Sequence, residues 1–534
     1  MKLYPIFFIL FIFSFFRSHF YISDEAVNLQ MVKNMKSYGS ELMVRPSYDP
    51  GGHKDWEKES LVHILMTPVF HYMNLLFNKL LNLNLIQSGA ILQALFFATF
   101  FLFLLRPLGL LDQSNIFFFS IAPITYFLLI EHEGAMTLFG FLSLLTANRG
   151  LEKKKSILFA YSGIFLGVAF LLKLWLIGPF GIGLIFVLIN SILKGEFTSF
   201  NYIKFSLILI ISFILTSSIH LLFVYFYAPE DIFKWVNQVY IGVITGAGDY
   251  GAKSNNNAWG HPWYYYIYCA LRDLLPILPF VFILLKRIIK GEFRTEKPFY
   301  VGCLGVCFSI IFLSALSSKE PSYILPIYFG VSLLVMEMLR KNNVFSKIEM
   351  KISLLSIVPL FLFSILAING KYSNTLTIQF MILSSIAFFF SLILIFNKSV
   401  IIKKLDWLMP MVCLLLSLYY IDSNSLKKID PVVNFINERE KTNIKNMDKA
   451  RETYIIANYY SQIGFNVWNR VLKYDWLVKS SNAKAGDYDN LVSNSKIKYF
   501  ILENNQANSE MIKASLIKSN FDMQRFEDLL VYYR

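Results

Sequence analysis

The sequence predicts an all-helical protein that crosses a membrane many times and carries a small α/β domain at its C-terminal end. Three observations lead there. The 534 residues are 55% hydrophobic and only 16% charged, with a mean hydropathy of +0.50, whereas soluble domains carry about 25% charged residues. Apolar runs of 15 to 24 residues recur along the chain, separated by short basic connectors, so the bilayer is the solvent for most of it. The stretch 425–534 breaks that pattern with mixed polar segments. A soluble multidomain enzyme is excluded. The net charge of +14 reads as the Lys and Arg of cytoplasmic loops, not as a nucleic-acid surface.

Thirteen candidate spans lie near 3–16, 86–105, 114–130, 134–148, 156–172, 174–193, 205–226, 263–285, 299–316, 322–339, 352–369, 375–396 and 405–421. The first resembles a signal-peptide core in length, but RSHFYISDE has no small-x-small cleavage site, so it reads as an uncleaved helix. The stretch 61–80 is apolar but interrupted by His63, Pro68, His71, Asn74, Asn78 and Lys79. Charge decides it. With Lys2 cytoplasmic and 61–80 not crossing, twenty positive charges, from Lys2 and Arg106 to Lys403 and Lys404, fall on inner connections. The outer connections after the first loop then hold only Lys173, Lys234, Lys253, Lys319 and Lys371, and letting 61–80 span inverts this bias. It is therefore expected to lie along the outer surface as an interfacial helix.

Two domains follow: 1–424, the membrane domain with a first outer loop at 17–85, and 425–534, an extracytoplasmic tail. The tail alternates strand-like pieces (454–460, 496–502, 529–534) with helical ones (430–440, 509–519), the pattern of a small α/β domain. Cys269, Cys303, Cys307 and Cys413 fall in or beside apolar segments and form no CxxC, so neither a disulfide framework nor a zinc ribbon is indicated.

The polar residues that the bilayer does not explain gather at the outer ends. Asp24 and Glu25 follow the first helix closely, and adjacent carboxylates on a helix point about 100° apart, so one of them, Asp24, is the candidate base. A helix cap is the plainer reading of the same residue, with Ser23 as the other cap. Lys54 and Lys58 precede the interfacial helix at the height of lipid phosphates, where snorkelling also accounts for them. Glu131, His132 and Glu133 begin a helix, where acids are favoured by its dipole; three consecutive residues rarely aim at one metal ion, and no metal is expected. Lys173 and Lys319 stand at outer helix ends with little polar company, either snorkelling or converging into an anion site. Arg272-Asp273 lies deeper, as internal ion pairing with other helices or as a site. Trp259, His261, Trp263 and the following tyrosines read as an interfacial aromatic belt. There is no Walker A loop, no GxGxxG and no HExxH, so ATP-driven transport is unsupported.

In order, these features resemble the GT-C membrane glycosyltransferases that include the lipid A aminoarabinose transferases and the protein O-mannosyltransferases. The matching features are a D-E pair in the first outer loop (Asp24, Glu25), an E-K pair before a surface helix (Glu57, Lys58) and an acid opening a helix after the third span. A G-x-A-F-L-x-K helix ending at Lys173, an H-P-W-Y-Y-Y helix and an S-K-x-x-x-Y-x-L-P stretch around Lys319 complete the set, which covers roughly residues 1–345. The resemblance implies that Asp24 is the catalytic carboxylate with Glu25 beside it, and that Lys58 and Lys319, with Lys173 as a third, approach a donor phosphate. It also implies that Glu131 or Glu133 is the second outer acid. Glu59-Ser60 stands where relatives usually have Pro-Pro.

The expected reaction moves a sugar from a polyprenyl-phosphate donor to an acceptor hydroxyl on the outer face, with inversion. It needs one base and a few cations, and no cofactor. The acceptor is a glycolipid, glycan or protein, membrane lipids surround the protein, and no nucleic acid takes part. The location is a bacterial-type cytoplasmic (inner) or plasma membrane. The competing reading is a transporter or flippase of a lipid-linked saccharide, which places its charges near the midplane; a non-catalytic envelope scaffold is a third.

Overall fold

The computed structural model describes residues 4–17, 29, 32, 35, 69–173, 177–195, 199–227, 229, 265–293, 297–315, 321–341, 344–360, 375–396, 408–423, 430–440, 453–456, 492, 498–503, 509–526 and 529–534. Within these, helices occur at twelve of the thirteen expected spans, and of the remaining one, 352–369, residues 361–369 lie outside the described residues. In chain order they are α1 (Tyr4–Phe16), α2 (Val69–Leu81), α3 (Leu85–Thr99), α4 (Ile121–Leu128), α5 (His132–Lys153), α6 (Ser156–Lys173), α7 (Gly178–Leu193), α8 (Ser199–Ser217) and α9 (Ile219–Tyr227). There follow α10 (Tyr265–Leu274), α11 (Leu278–Ile289), α12 (Pro298–Phe308), α13 (Ile310–Ala315), α14 (Leu325–Lys341), α15 (Lys347–Leu354), α16 (Thr375–Phe396), α17 (Leu408–Ser423) and α18 (Asp430–Glu440). Among the described residues five helical stretches are long and apolar enough to cross a membrane, Leu85–Leu108, Ser156–Lys173, Asn201–Leu222, Tyr265–Ile289 and Ser322–Lys341, and the chain is an integral membrane protein.

Among the described residues helix α2 covers 13 residues, about 20 Å at 1.5 Å per residue; residues 61–68 of the expected surface helix lie outside them. It buries Phe70, His71, Asn74, Leu75 and Asn78 while Leu76, Leu80 and Leu81 stay exposed. One face is thus polar and covered.

The third expected span is not one helix. Leu111–Phe119 forms a 3-10 helix, Ser120 is extended, and α4 begins at Ile121. Pro123 explains the break, because its ring clashes with the carbonyl four residues back and it has no N–H to donate there. That carbonyl belongs to Phe119 and accepts instead from Cys413 Sγ at 3.8 Å, and Phe117 O accepts from Tyr328 Oη at 3.2 Å. Donors on α17 and α14 thus satisfy backbone that lipid would leave bare.

The chain divides into two compact units. The first comprises Met1–Phe16, Ile64–Phe70 and Ala90–Tyr420. Its core is rich in Phe, with Phe97, Phe100, Phe101, Phe117, Phe127 and Phe329 meeting edge to face, tilted or stacked. Small residues bring helices close: a Cβ on Gly183 of α7 would stand 2.9 Å from Gly302 O of α12. Helices α5 and α6 form a hairpin laced at mid-length by Ser143 Oγ to Ser162 O and Ser162 Oγ to Ser143 O, both 2.9 Å.

The second unit comprises Arg17–His63, His71–Gly89 and Ile421–Arg534. Its sheet has β1 (Thr453–Ile456), β2 (Tyr499–Glu503), β3 (Asp522–Phe526) and β4 (Leu529–Tyr533) in the order β1-β2-β4-β3, with β1 parallel to β2 and the other pairs antiparallel. Helix α19 (Ser509–Lys518) covers one face through Ile512 and Leu516 against Phe500, Leu502, Leu530 and Tyr532. The other face meets α18, where Phe435 packs on Phe526 and Tyr533 and the Arg439 guanidinium lies 4.0 Å from the Tyr533 ring. The tail is the expected α/β domain with one strand more. Strand β3 was not legible because it is an exposed edge and shows no buried alternation.

Candidate functional site

Helix α5 opens at Glu131, whose extended backbone (φ −130°, ψ 171°) forms the N-cap without a side-chain cap bond. Its first turn carries His132 and Glu133, both buried. Antiparallel to it, α6 ends at Lys173. The hairpin therefore sets an acid at a helix N-terminus opposite a cation at a helix C-terminus, the pairing that both dipoles favour. Lys173 Nζ lies 2.6 Å from Glu133 Oε1, with the two side chains only 9% and 1% exposed. A third element closes on the pair. The turn Pro321–Ile324 brings Ser322 Oγ to donate to the same Glu133 Oε1 at 3.2 Å, and Tyr323 places its ring 5.4 Å from Lys173 Nζ, within cation–π range. Glu133 Oε2 is buried without a hydrogen-bond partner among the described residues.

Snorkelling is thus not the state of Lys173. Its ammonium turns inward to a carboxylate 40 residues earlier in the chain. Glu133 pairs with Lys173, while Glu131 occupies the N-cap position and accepts, through its carbonyl, from Gln93 Nε2. His132 lies between them, fully buried, its ring 4.9 Å from that of Phe70. Among the described residues no group of three His, Cys, Asp or Glu is arranged to hold a metal ion.

Arg272 and Asp273 pair with each other, Nε to Oδ1 at 2.6 Å and Nη2 to Oδ2 at 3.1 Å, and Arg272 Nη2 also donates to Tyr126 Oη at 3.1 Å. The pair ties α10 to α4 and does not touch Glu133. Asp24, Glu25, Lys58 and Lys319 lie outside the described residues.

Three sequence motifs far apart in the chain therefore meet: the acid that opens α5, the lysine that ends α6, and the tyrosine of the S-K-x-x-x-Y stretch. Ser322 and Gln93 were not read as site residues. Gln93 left a signal, an amide in mid-run of the apolar AILQALFFATF, which no lipid-facing position tolerates cheaply.

No family model matches the chain, and no curated protein matches it in sequence. Solved structures do match. The crystal structure of ArnT from Cupriavidus metallidurans bound to undecaprenyl phosphate is similar with a TM-score of 0.67 at 12% identity, over 99% of this chain and 96% of that one. The apo state of the same protein gives 0.66 at 11% identity, with coverage of 99% and 96%. The fold is ArnT-like, the GT-C architecture that the order of motifs implied.

Proposed function

We propose that this chain is an integral-membrane glycosyltransferase that moves a sugar from a polyprenyl-phosphate donor to an acceptor hydroxyl on the outer face of the membrane. The observation that carries the reading is the convergence of Glu133, Lys173, Ser322 and Tyr323 at one end of the helices, in a fold shared over nearly the whole length with an undecaprenyl-phosphate-binding protein. The thirteen-span topology expected from the sequence puts the loops of Asp24, Lys58 and Lys319 on the outer side. Charges gathered at a membrane face, not at midplane, favour an enzyme over a transporter.

In the proposed reaction Asp24, with Glu25 beside it, takes the proton of the acceptor hydroxyl as that oxygen bonds to the anomeric carbon. The bond from that carbon to the phosphate oxygen breaks from the opposite side, and polyprenyl phosphate departs with inversion. Lys58 and Lys319 hold the departing phosphate. Lys173 joins them while sharing its charge with Glu133, the second outer acid. The tail of 425–534 lies on the outer side in this reading, and an alkaline phosphatase fusion after Asn424 is expected to be active.

The central test is Asp24→Asn, nearly isosteric and still able to cap a helix. Removing a general base lowers turnover about 10²–10⁴-fold, read by mass spectrometry of envelope glycolipids and glycoproteins from cells with and without the variant. Normal transfer by Asp24→Asn removes Asp24 from catalysis, and unchanged envelope glycans on loss of the wild-type gene remove the transferase reading.

A further inference from the structure

The acid turn that opens α5 has no side-chain cap of its own, and something else must hold it. The holder is on α3. Gln93 is fully buried, and its Nε2 donates to the carbonyl oxygen of Glu131, 38 residues later. A tight local turn, Glu131 N to Leu129 O at 2.7 Å, sets the chain direction just before this carbonyl. Gly134, one residue past Glu133, lies so close to the same amide that a Cβ there would stand 3.2 Å from Gln93 Oε1 and 2.7 Å from Phe127 O. The Phe127 carbonyl excludes a side chain at this position, and glycine lets the first turn of α5 pack closely beside Gln93. Two residues after the clamped carbonyl comes Glu133, bonded to Lys173 and Ser322 through one oxygen and, among the described residues, without a hydrogen-bond partner on the other.

Replacing this amide by an apolar residue of equal volume takes the Gln93 donor from the Glu131 carbonyl and costs some stability. The specific effect of the amide is geometric. We infer that Gln93 is a positioning residue, which fixes the start of α5 and thereby the approach of the Glu133 carboxylate to Lys173. The inference rests on the proposed role of the Glu133–Lys173 pair in transfer.

The test compares Gln93→Met, which keeps the volume and the unbranched stem, with Ser88→Ala. The latter removes another buried hydrogen bond of the same helix, Ser88 Oγ to Asn74 Oδ1 at 2.6 Å, and leaves the acid turn alone. Each is made in the wild-type and in a Lys173→Met background, with transferred sugar measured by mass spectrometry and binding measured with undecaprenyl phosphate as the probe. Displacing a reacting group by about 1 Å costs on the order of 10²-fold. Gln93→Met is therefore expected to lower transfer by about that factor with probe binding unchanged, but by no more than about two-fold where Lys173 is already gone, since residues acting as a unit are not additive. Ser88→Ala leaves transfer near normal. Gln93→Asn, which keeps an amide one methylene too short, gives the same loss and serves if Gln93→Met does not fold. An equal loss in both backgrounds, or an equal loss from Ser88→Ala, overturns the inference. Normal transfer by Gln93→Met beside an impaired Glu133→Gln sinks it alone, whereas normal transfer by Glu133→Gln sinks the reading on which it stands.

Discussion

Glu133 and Glu349 are both carboxylates buried in the first compact unit, both paired with a base, and they are built in opposite ways. Glu349, in the first turn of α15, has every lone-pair direction used. Its Oε1 receives Arg287 Nε at 2.7 Å and Lys286 Nζ at 3.3 Å, and its Oε2 receives Arg287 Nη2 at 3.2 Å, Ser346 N at 2.8 Å and Ser346 Oγ at 3.1 Å. Ser346 Oγ in turn accepts from Glu349 N, which completes a capping box. Glu133 has one oxygen engaged and, among the described residues, no hydrogen-bond partner on the other. A saturated carboxylate clasps two helices and has nothing left for a ligand. An unsaturated one retains a desolvation cost that only another donor removes, and that is the mark of a place where chemistry or binding is completed from outside.

The largest expected effect lies on the clasp. Glu349→Leu leaves the Arg287 guanidinium, 8% exposed, buried without its counter-charge, and is expected to destabilise by about 3–5 kcal/mol. Arg287→Met/Glu349→Leu together recovers most of that, and transfer per folded molecule stays normal in both. Thermal unfolding in detergent measures the loss, and an additive double variant contradicts the clasp. The same contact sets a pH window. Burial pushes the Glu349 carboxyl up, but the hydrogen bonds from Arg287 and Ser346 and the guanidinium charge outweigh it, bringing the group from 4.5 to about 2. A depressed folded value means the unfolded state binds the proton more tightly. This contribution is thus fully present above about pH 4.5 and fades as pH falls towards 2. In Glu349→Leu that part of the acid sensitivity is gone.

The contrast also marks what a sequence makes legible. Thirteen apolar stretches could be read because a helix in lipid must be apolar over its whole length. The acid at the start of α5 and the lysine at the end of α6 could be read as exceptional, but Glu133–Lys173 as a pair could not, since 40 residues separate them. Arg272 and Asp273 escaped for a different reason. Neighbouring side chains diverge by about 100° on a helix, yet the long arginine stem folds back across that angle. The break at Ser120 had a signal in Pro123, whose forbidden bond to Phe119 was hidden by an otherwise unbroken apolar run.

A smaller free-energy change, but a larger functional one, is expected at the other carboxylate. Glu133→Gln keeps an acceptor for Lys173 and Ser322 while removing a buried charge that is only half compensated, so unfolding temperature should shift little or rise. Lys173, the last residue of its helix, can then turn its ammonium to the interface. Transfer is expected to fall about 10²-fold, the loss typical of a misplaced or missing electrostatic partner. A variant that unfolds early but transfers normally would make Glu133 a second clasp and erase the distinction.

The finest test of the comparison uses two serines that make the same bond, hydroxyl to carboxylate, at the two sites. Ser346 donates to Glu349 at 3.1 Å and Ser322 donates to Glu133 at 3.2 Å. Their geometry is alike, so any difference in outcome comes from what the carboxylate does. Ser346→Ala removes a helix cap as well, and is expected to cost about 1 kcal/mol of stability with transfer unchanged. Ser322→Ala removes one of two donors from an oxygen that already has an unpartnered neighbour. Its loss leaves Glu133 freer to swing on Lys173 alone, so the effect falls on the rate, about three- to ten-fold, the equivalent of roughly 1 kcal/mol, with little change in unfolding temperature. Measuring unfolding and transfer for both variants gives four numbers. If the losses fall on the same property at both sites, the two carboxylates differ in location only.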